Sequence, residues 1–597
     1  MSPVLTRIAA AAALLAPQVA LADDIQPPKM YTQTPTGVNL SDGSYVEADV
    51  DLSIGSLQLK RSHLGGPVVP SSKAFGPSWT HNFEMYIRTV PSGPPINTYY
   101  ADVHTDEGTY TFSGDAGHNV NAPWNDDARG KKLEKIGSIL RFTARSGALY
   151  DFTSATNLYH ISKLTYPNGR VLDFFYDSNE KLKEVRDSAG YAIIFDYTAN
   201  GYVADACAVN QITSVVSPSS TCAAVSTPKE TVSYGYTAVT GTGGYLLTSA
   251  IDRLGQTTTY QYNNPNADKP AISCITPPGY STCKITNAYG SVAAYYYQVT
   301  QQTLATGEVW NYSYNGIYAG VRLRASDGSS NLTSVHVTDP LNKVWIYSFI
   351  DSSPYRASDP NAHTTGYVFV GNEWKSGPSN QPSGTYLAQT VLPEGNKFTA
   401  SFDSRMNVTG MTEVDKTGTV SRATSSSFPA SGSDYLCGTA VDPKVCNRPV
   451  WIRDPKGNQT DFTYDSASGG VLTLMSPPPV AGAARPLKVY TYASYSAMVR
   501  DASGALASGS AMWLPATETQ CQTAAANPNT PVCDTSATQQ TISYQYGAPG
   551  AQDQLLVKGK TETADGTSRR TCYTYDWKGL QISQTSPRGT TSLSVCP

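Results

Sequence analysis

Four carboxylates recur in one setting along the chain: Asp177, Asp403, Asp465 and Asp576 each directly follow an aromatic residue. Asn263 and Asn315 hold the same place after Tyr262 and Tyr314. Two such carboxylates at close range could serve as general acid and general base. A catalytic pair is needed once, however, and these side chains return at turn after turn. Each is therefore read as accepting backbone N–H groups to cap a turn. The seven histidines (His63, His81, His104, His118, His160, His336 and His363) form no His-Glu-x-x-His or other ligand spacing. His81, between Trp79 and Phe83, is read as a hydrogen-bonding residue of the strand that starts the sheet. His104-x-Asp106-Glu107 and Asn125-Asp126-Asp127 beside Trp124 could contact a metal or a sugar, but read as solvated polar turns. No Gly-x-Ser-x-Gly elbow, P-loop or EF-hand loop occurs. No catalytic, metal or cofactor site is expected, and the chain is not expected to be an enzyme.

The ten cysteines are an even set that falls into neighbours: Cys207/Cys222, Cys274/Cys283, Cys437/Cys446, Cys521/Cys533 and Cys572/Cys596. Each pair brackets a Pro-, Ser- or Asn-rich stretch, so local bridges across inserted loops are expected. Metal binding competes poorly, because no Cys-x-x-Cys pair or Cys/His cluster is present.

The elements that must position these residues emerge from self-similarity. Gly169, Gly255, Gly307, Gly395 and Gly457 each precede an aromatic strand, and an Asp or Asn follows eight residues after the Gly. Gly190 keeps the frame, with Thr198 in the Asp slot. Before the Gly stand segments such as Asp252-Arg-Leu-Gly255 and Asp454-Pro-Lys-Gly457. Asp accepts amide hydrogens at the first position of a type I turn, Pro presets φ at the second, and Gly fits the fourth. The residues after the turn alternate with period two, as in Thr460, Phe462 and Tyr464, which marks strands. One repeat is therefore turn, strand, turn, strand, with 21 residues from Gly169 to Gly190 and 23 from Gly395 to Gly418. No such unit buries its own apolar face, so copies must stack into a long antiparallel sheet.

Gly-x(n)-Tyr-x-Tyr-Asp-x-x-Gly-x-Leu is similar to the YD repeat of Rhs proteins, insecticidal toxin-complex subunits and teneurins, over roughly residues 145–597. Leu57-Gln-Leu-Lys-Arg61, followed by Phe75-Gly-Pro-Ser-Trp79-Thr-His-Asn-Phe83, resembles the segment that introduces such repeats. Departures are many: the second Gly is replaced at Glu180 and Met406, and the Asp slot is often Asn or Thr. The resemblance implies an all-β fold, a spiralling antiparallel sheet forming a cocoon or shell, with an N-terminal β-rich introductory domain. It also implies a closing C-terminal core and an enclosed effector. Here Gly589 starts another copy and Pro597 falls in its Asp slot, so both the core and the effector are expected to be missing.

Arg7 precedes an apolar run ending at Ala16, and Ala20-Leu21-Ala22 offers a signal-peptidase site ahead of Asp23. The expected organisation is a signal peptide at 1–22, an introductory β domain at 23–144 and a repeat array at 145–597. Charged residues make up only 15% of the chain and the net charge is −4, which leaves no basic stripe for nucleic acid. No segment resembles a transmembrane anchor. The 39 Tyr against 14 Phe, with 48 Gly and 39 Pro, suit half-buried strands and frequent turns. The expected function is a shell or scaffold, secreted or at the cell surface or periplasm, for a cargo or effector polypeptide in toxin delivery or contact-dependent competition. The alternative is an adhesin that stacks cell-surface glycans on its aromatic rows.

Overall fold

In the computed structural model, the described residues are 32–64, 74–91, 98–115, 130–155, 158–239, 244–263, 270–290, 298–315, 332–350, 353–370, 386–419, 421–431, 437–438, 440–524, 531–585, 587 and 596. The expected leader at 1–22, His118, the Trp124–Asp127 segment and the last repeat at Gly589 lie outside them. Among the described residues the chain is all-β. A three-stranded antiparallel sheet holds β1 (Val46–Ile54), β2 (Leu57–Leu64) and β3 (Trp79–His81). A second antiparallel sheet of 35 strands runs from Tyr86–Pro91 to Gln581–Thr585. Among the described residues no ladder joins its last strand to its first, and the sheet is not closed. No helix among the described residues is long and apolar enough to cross a membrane.

Strands follow the chain order almost throughout, each hairpin leading to the next. Among the described residues the one branch is at Tyr159–Thr165. One edge of this strand pairs with Leu149–Ser154. The other edge is shared end to end by Tyr86–Pro91 and Val171–Tyr176. Ile139–Thr143 also pairs with Leu149–Ser154, so the hydrogen-bonded sheet crosses residue 144 without a break.

The large sheet coils on itself. Trp513 N–H donates to the Asn168 carbonyl at 2.7 Å. The Arg145 guanidinium reaches the Arg405 carbonyl and, at 2.5 Å, Asn407 Oδ1. Asn210 Nδ2 donates to the carbonyls of Gln552 at 2.9 Å and Trp577 at 3.2 Å. These contacts join residues 260 to 367 positions apart, so one turn of the coil takes about that length of chain. Turn stacks on turn through polar groups and backbone, while the aromatic rows fill one continuous core.

Candidate functional site on the inner face

The residues singled out by their spacing sit at the hairpin ends. Gly169, Gly190, Gly255, Gly307, Gly395 and Gly457 all have φ between +72° and +97°. Each of these glycines donates its N–H to the carbonyl three residues earlier, at 2.9 Å. At Gly169 the requirement is doubled, because a Cβ would also stand 3.0 Å from the Ala511 carbonyl of the next turn. Asp177 Oδ1 receives the amides of Asn179 and Lys181. Asp403 Oδ1 receives those of Arg405 and Asn407, and Asp576 Oδ1 those of Lys578 and Leu580. Asp465 Oδ2 holds the Ser468 amide at 2.7 Å. These carboxylates are engaged with their own turns. Asn263 and Asn315 end the strands Thr257–Asn263 and Val309–Asn315. Where Gly is replaced the geometry persists: Glu180 and Met406 are held at φ 60° and 63°.

The remaining candidates also have local partners. His104 stacks on Tyr86 at 4.3 Å and its Nδ1 meets the Thr109 hydroxyl. Asp106 accepts Tyr150, and Glu107 accepts Ser146. No group of three or more His, Cys, Asp or Glu able to hold a metal occurs among the described residues. The sulfurs of Cys207–Cys222, Cys274–Cys283, Cys437–Cys446, Cys521–Cys533 and Cys572–Cys596 are joined, with Cα–Cα distances of 5.4–5.7 Å. Such bridges suit an oxidising compartment.

A second regularity was not read from the sequence. In nine hairpins among the described residues the strands splay after a last paired couple, and a tyrosine three residues further on fills the gap. Its hydroxyl donates to the carbonyl two residues before the couple's other member. After Ser249↔Thr259, Tyr262 reaches the Leu247 carbonyl. After Gln301↔Asn311, Tyr314 reaches Val299, and after Trp451↔Asp461, Tyr464 reaches Pro449. Tyr197, Tyr236, Tyr289, Tyr492, Tyr546 and Tyr575 obey the same rule, with O···O distances of 2.5–2.8 Å over the whole set. A buried carbonyl left at the end of a ladder is costly, and the phenol supplies the missing donor. The excess of Tyr over Phe was the available signal.

Functional side chains that the spacing missed converge where the small sheet packs on the large one. Arg61 is 1% exposed. A bulge in β1 leaves Asp51 as the extra residue between the couples Val50↔Lys60 and Leu52↔Leu59. Bulges re-aim side chains, and here Asp49 and Asp51 both reach Arg61, Asp51 through two bonds of 2.8 and 3.0 Å. Tyr260 and Tyr234 from the large sheet hydrogen-bond to Asp49 and Asp51. The Trp79 ring lies 4.5 Å from the guanidinium carbon. Burial opposes the charge on Arg61, but Asp51 and the flanking groups hold it well above its ordinary pKa. His63 is fully buried with Nε2 3.1 Å from the Pro270 carbonyl, and desolvation pushes its imidazole down to about 4. His81 belongs to β3 of this small sheet, not to the start of the large one. Its ring packs on Phe75, Phe83 and Phe195, and its buried Nδ1 has no hydrogen-bond partner.

The N-terminal segment is also stitched to the wall by backbone bonds. Val299 N–H donates to Gly43, Val203 to Ala74, and Gly55 to Lys578, at 2.9, 2.8 and 2.6 Å. Two cavities flank this contact. One of about 290 Å³ lies between His81–Tyr86 and the strands around His160 and Tyr176. Another of about 190 Å³ lies beside Arg170 and Tyr166.

No family model and no curated protein matches the chain. Among solved structures, a TcdB2-TccC3 crystal structure is 11% identical over 85% of this chain and 28% of that one, at TM-score 0.30. The TcdB2-TccC3 structure without its hypervariable C-terminal region is 10% identical over 89% of this chain and 26% of that one, at TM-score 0.33. The Photorhabdus luminescens Tc holotoxin pore with the TccC3 D651A mutation is 11% identical, covering 86% and 27%, at TM-score 0.28. This chain spans about a quarter of the length of those chains.

Proposed function

We propose that this chain is an exported YD-repeat shell or scaffold, acting in toxin delivery or contact-dependent competition by enclosing an effector polypeptide, without catalysis of its own. The carrying observation is that one face of the coiled sheet is already occupied by polypeptide. Residues 43–64 and 74–83 are held there by backbone bonds to residues 203, 299 and 578 and by the buried Arg61 cluster. A wall that holds turns of another segment through its own amides and carbonyls can hold cargo with little regard to its sequence. The glycan-binding alternative loses support, because the tyrosine hydroxyls that would meet sugars donate to backbone carbonyls.

Electron microscopy of the purified full chain tests this reading. A hollow body, and protease protection of a co-expressed effector polypeptide, are the expected results. A flat or solid particle that binds a glycan array would overturn it in favour of the adhesin, and hydrolysis of polysaccharide or peptide by the pure protein would overturn the non-catalytic part.

A further inference from the structure

The disulfides differ in what surrounds their sulfurs. Cys446 is fully buried, and its Sγ receives an N–H from Arg405 Nη1 at 2.8 Å. Its partner Cys437 is half-buried. We propose that Cys437–Cys446 is a site of thiol exchange, opened by a small thiol that attacks Cys437 and expels Cys446 as a thiolate.

The positive charge beside Cys446 is only partly offset. Arg405 is 1% exposed, its Nε has no hydrogen-bond partner, and its carboxylate partner Asp403 stands 3.2 Å from Nη2. Asp403 also accepts the amides of Arg405 and Asn407 and the Asn407 side chain. Nη1, which faces the sulfur, is also bonded to the Cys446 carbonyl. Lys444 and Arg448 stand two residues either side of Cys446, and Arg145 bonds to the Arg405 carbonyl, while Asp442 adds one further carboxylate. A cation beside a cysteine sulfur lowers its thiol pKa from about 8.5 to roughly 3.5–7.5. A thiol of lower pKa is the better leaving group in exchange.

The chemistry is a two-step displacement. An incoming thiolate bonds to Cys437 Sγ as the bond between the two sulfurs breaks, and the bonding pair leaves on Cys446. A second thiolate then displaces Cys437 from the mixed disulfide. Two external thiols thus become one disulfide, their protons pass to Cys437 and to solvent, and two electrons rest on the protein sulfurs.

Cys274–Cys283 is a built-in control. It also spans 9 residues and joins a buried cysteine to a half-buried one. There, however, Cys274 Sγ meets the neutral Thr276 hydroxyl at 3.6 Å.

Opening the bridge has a structural consequence, because the loop it ties presses on the neighbouring turn of the coil. Asn447 Nδ2 donates to the Gly130 and Arg145 carbonyls, each at 3.1 Å. A Cβ on Gly147 would stand 2.6 Å from Lys444 Cα, so loop and turn meet backbone to backbone. A reducing compartment would therefore loosen this seam. The step needs no enclosed cargo, so its failure and that of the shell reading are distinguishable.

Glutathione added to the folded full chain, with free thiols trapped at intervals by N-ethylmaleimide and peptides mapped, tests the assignment. Cys437–Cys446 should open about tenfold faster than Cys274–Cys283, with glutathione on Cys437 and a free thiol at Cys446. Arg405→Met should slow this opening to the rate of the control bridge. Asp403→Asn keeps a turn acceptor, removes the counter-charge and should speed it; circular dichroism checks both folds, and Asp403→Asn decides if Arg405→Met unfolds. Amide hydrogen exchange at residues 144–148 should rise on reduction. Equal opening of the two bridges, glutathione on Cys446 instead of Cys437, or rates unchanged in the folded variants would overturn the exchange site. Unchanged amide exchange would overturn its link to the seam.

Discussion

The indole N–H of Trp79 meets the hydroxyl of Tyr262 at 2.8 Å, and that hydroxyl in turn donates to the Leu247 carbonyl. One phenol thus closes a hairpin of the wall and anchors the small sheet. Tyr262→Phe removes both bonds and leaves two buried polar groups facing a ring edge, each costing about 1–3 kcal/mol. Tyr314→Phe removes the equivalent wall bond to Val299. Urea denaturation should therefore show Tyr262→Phe as the more destabilised variant by 1 kcal/mol or more, on the order of one lost partner.

Arg61 and Asp51 form the buried pair beneath Trp79. Arg61→Met strands the Asp51 carboxylate and should cost about 3–5 kcal/mol, whereas Arg61→Met with Asp51→Leu should recover much of that loss. Equilibrium unfolding of the two variants checks the order.

His63 gives a pH dependence of definite sign. Its folded pKa near 4 lies below the unfolded value of about 6.5, so the unfolded chain takes up the proton first. Stability is then full above about pH 6.5 and falls as the pH drops toward 4, by about 2–3 kcal/mol. Carboxylates titrate in the same window, so the diagnostic is the difference from His63→Gln, which should lose less between pH 7.5 and 4.5.

Two turn substitutions should act in opposite directions. Ala362 is exposed at φ +64°, and Ala362→Gly should stabilise by about 1 kcal/mol. Gly169→Ala introduces the same strain and a contact with the Ala511 carbonyl of the next turn. It should lower the melting temperature.

Non-reducing peptide mapping should recover the five local links and no long-range one. Cys572–Cys596 closes a separation of 24 residues and Cys274–Cys283 only 9. Loss of the longer staple should therefore destabilise more, by about 0.9 kcal/mol in the chain-entropy account.

The turns and strands were legible because their chemistry is local. Asp252 with Gly255, or Asp454 with Gly457, encodes a turn within four residues, and alternation encodes the strand that follows. What the reading missed depends on distance. The bulge that turns Asp51 toward Arg61 leaves no mark in the sequence of β1, and the partners Tyr234 and Tyr260 come from about 180–200 residues away. His81 was placed in the wrong sheet for the same reason: its strand is three residues long, and only the ladder Arg61↔His81, Ser62↔Thr80 and His63↔Trp79 assigns it. The larger cavity likewise joins residues near 84 to residues near 180, a proximity created by the branch at Tyr159–Thr165.

The tyrosine at each hairpin's end has a consequence for how the wall assembles correctly. Side chains in a strand alternate faces, so a one-residue slip would swing the phenol to the opposite side and strand the carbonyl it serves. Each tyrosine is therefore a proofreader of its own strand pair. It withholds its bond from every misaligned pairing and does so one hairpin at a time. At Phe369 and Phe402, which stand three residues past the couples Arg356↔Gly366 and Gln389↔Thr399, that check is missing. Alignment errors during folding should gather there.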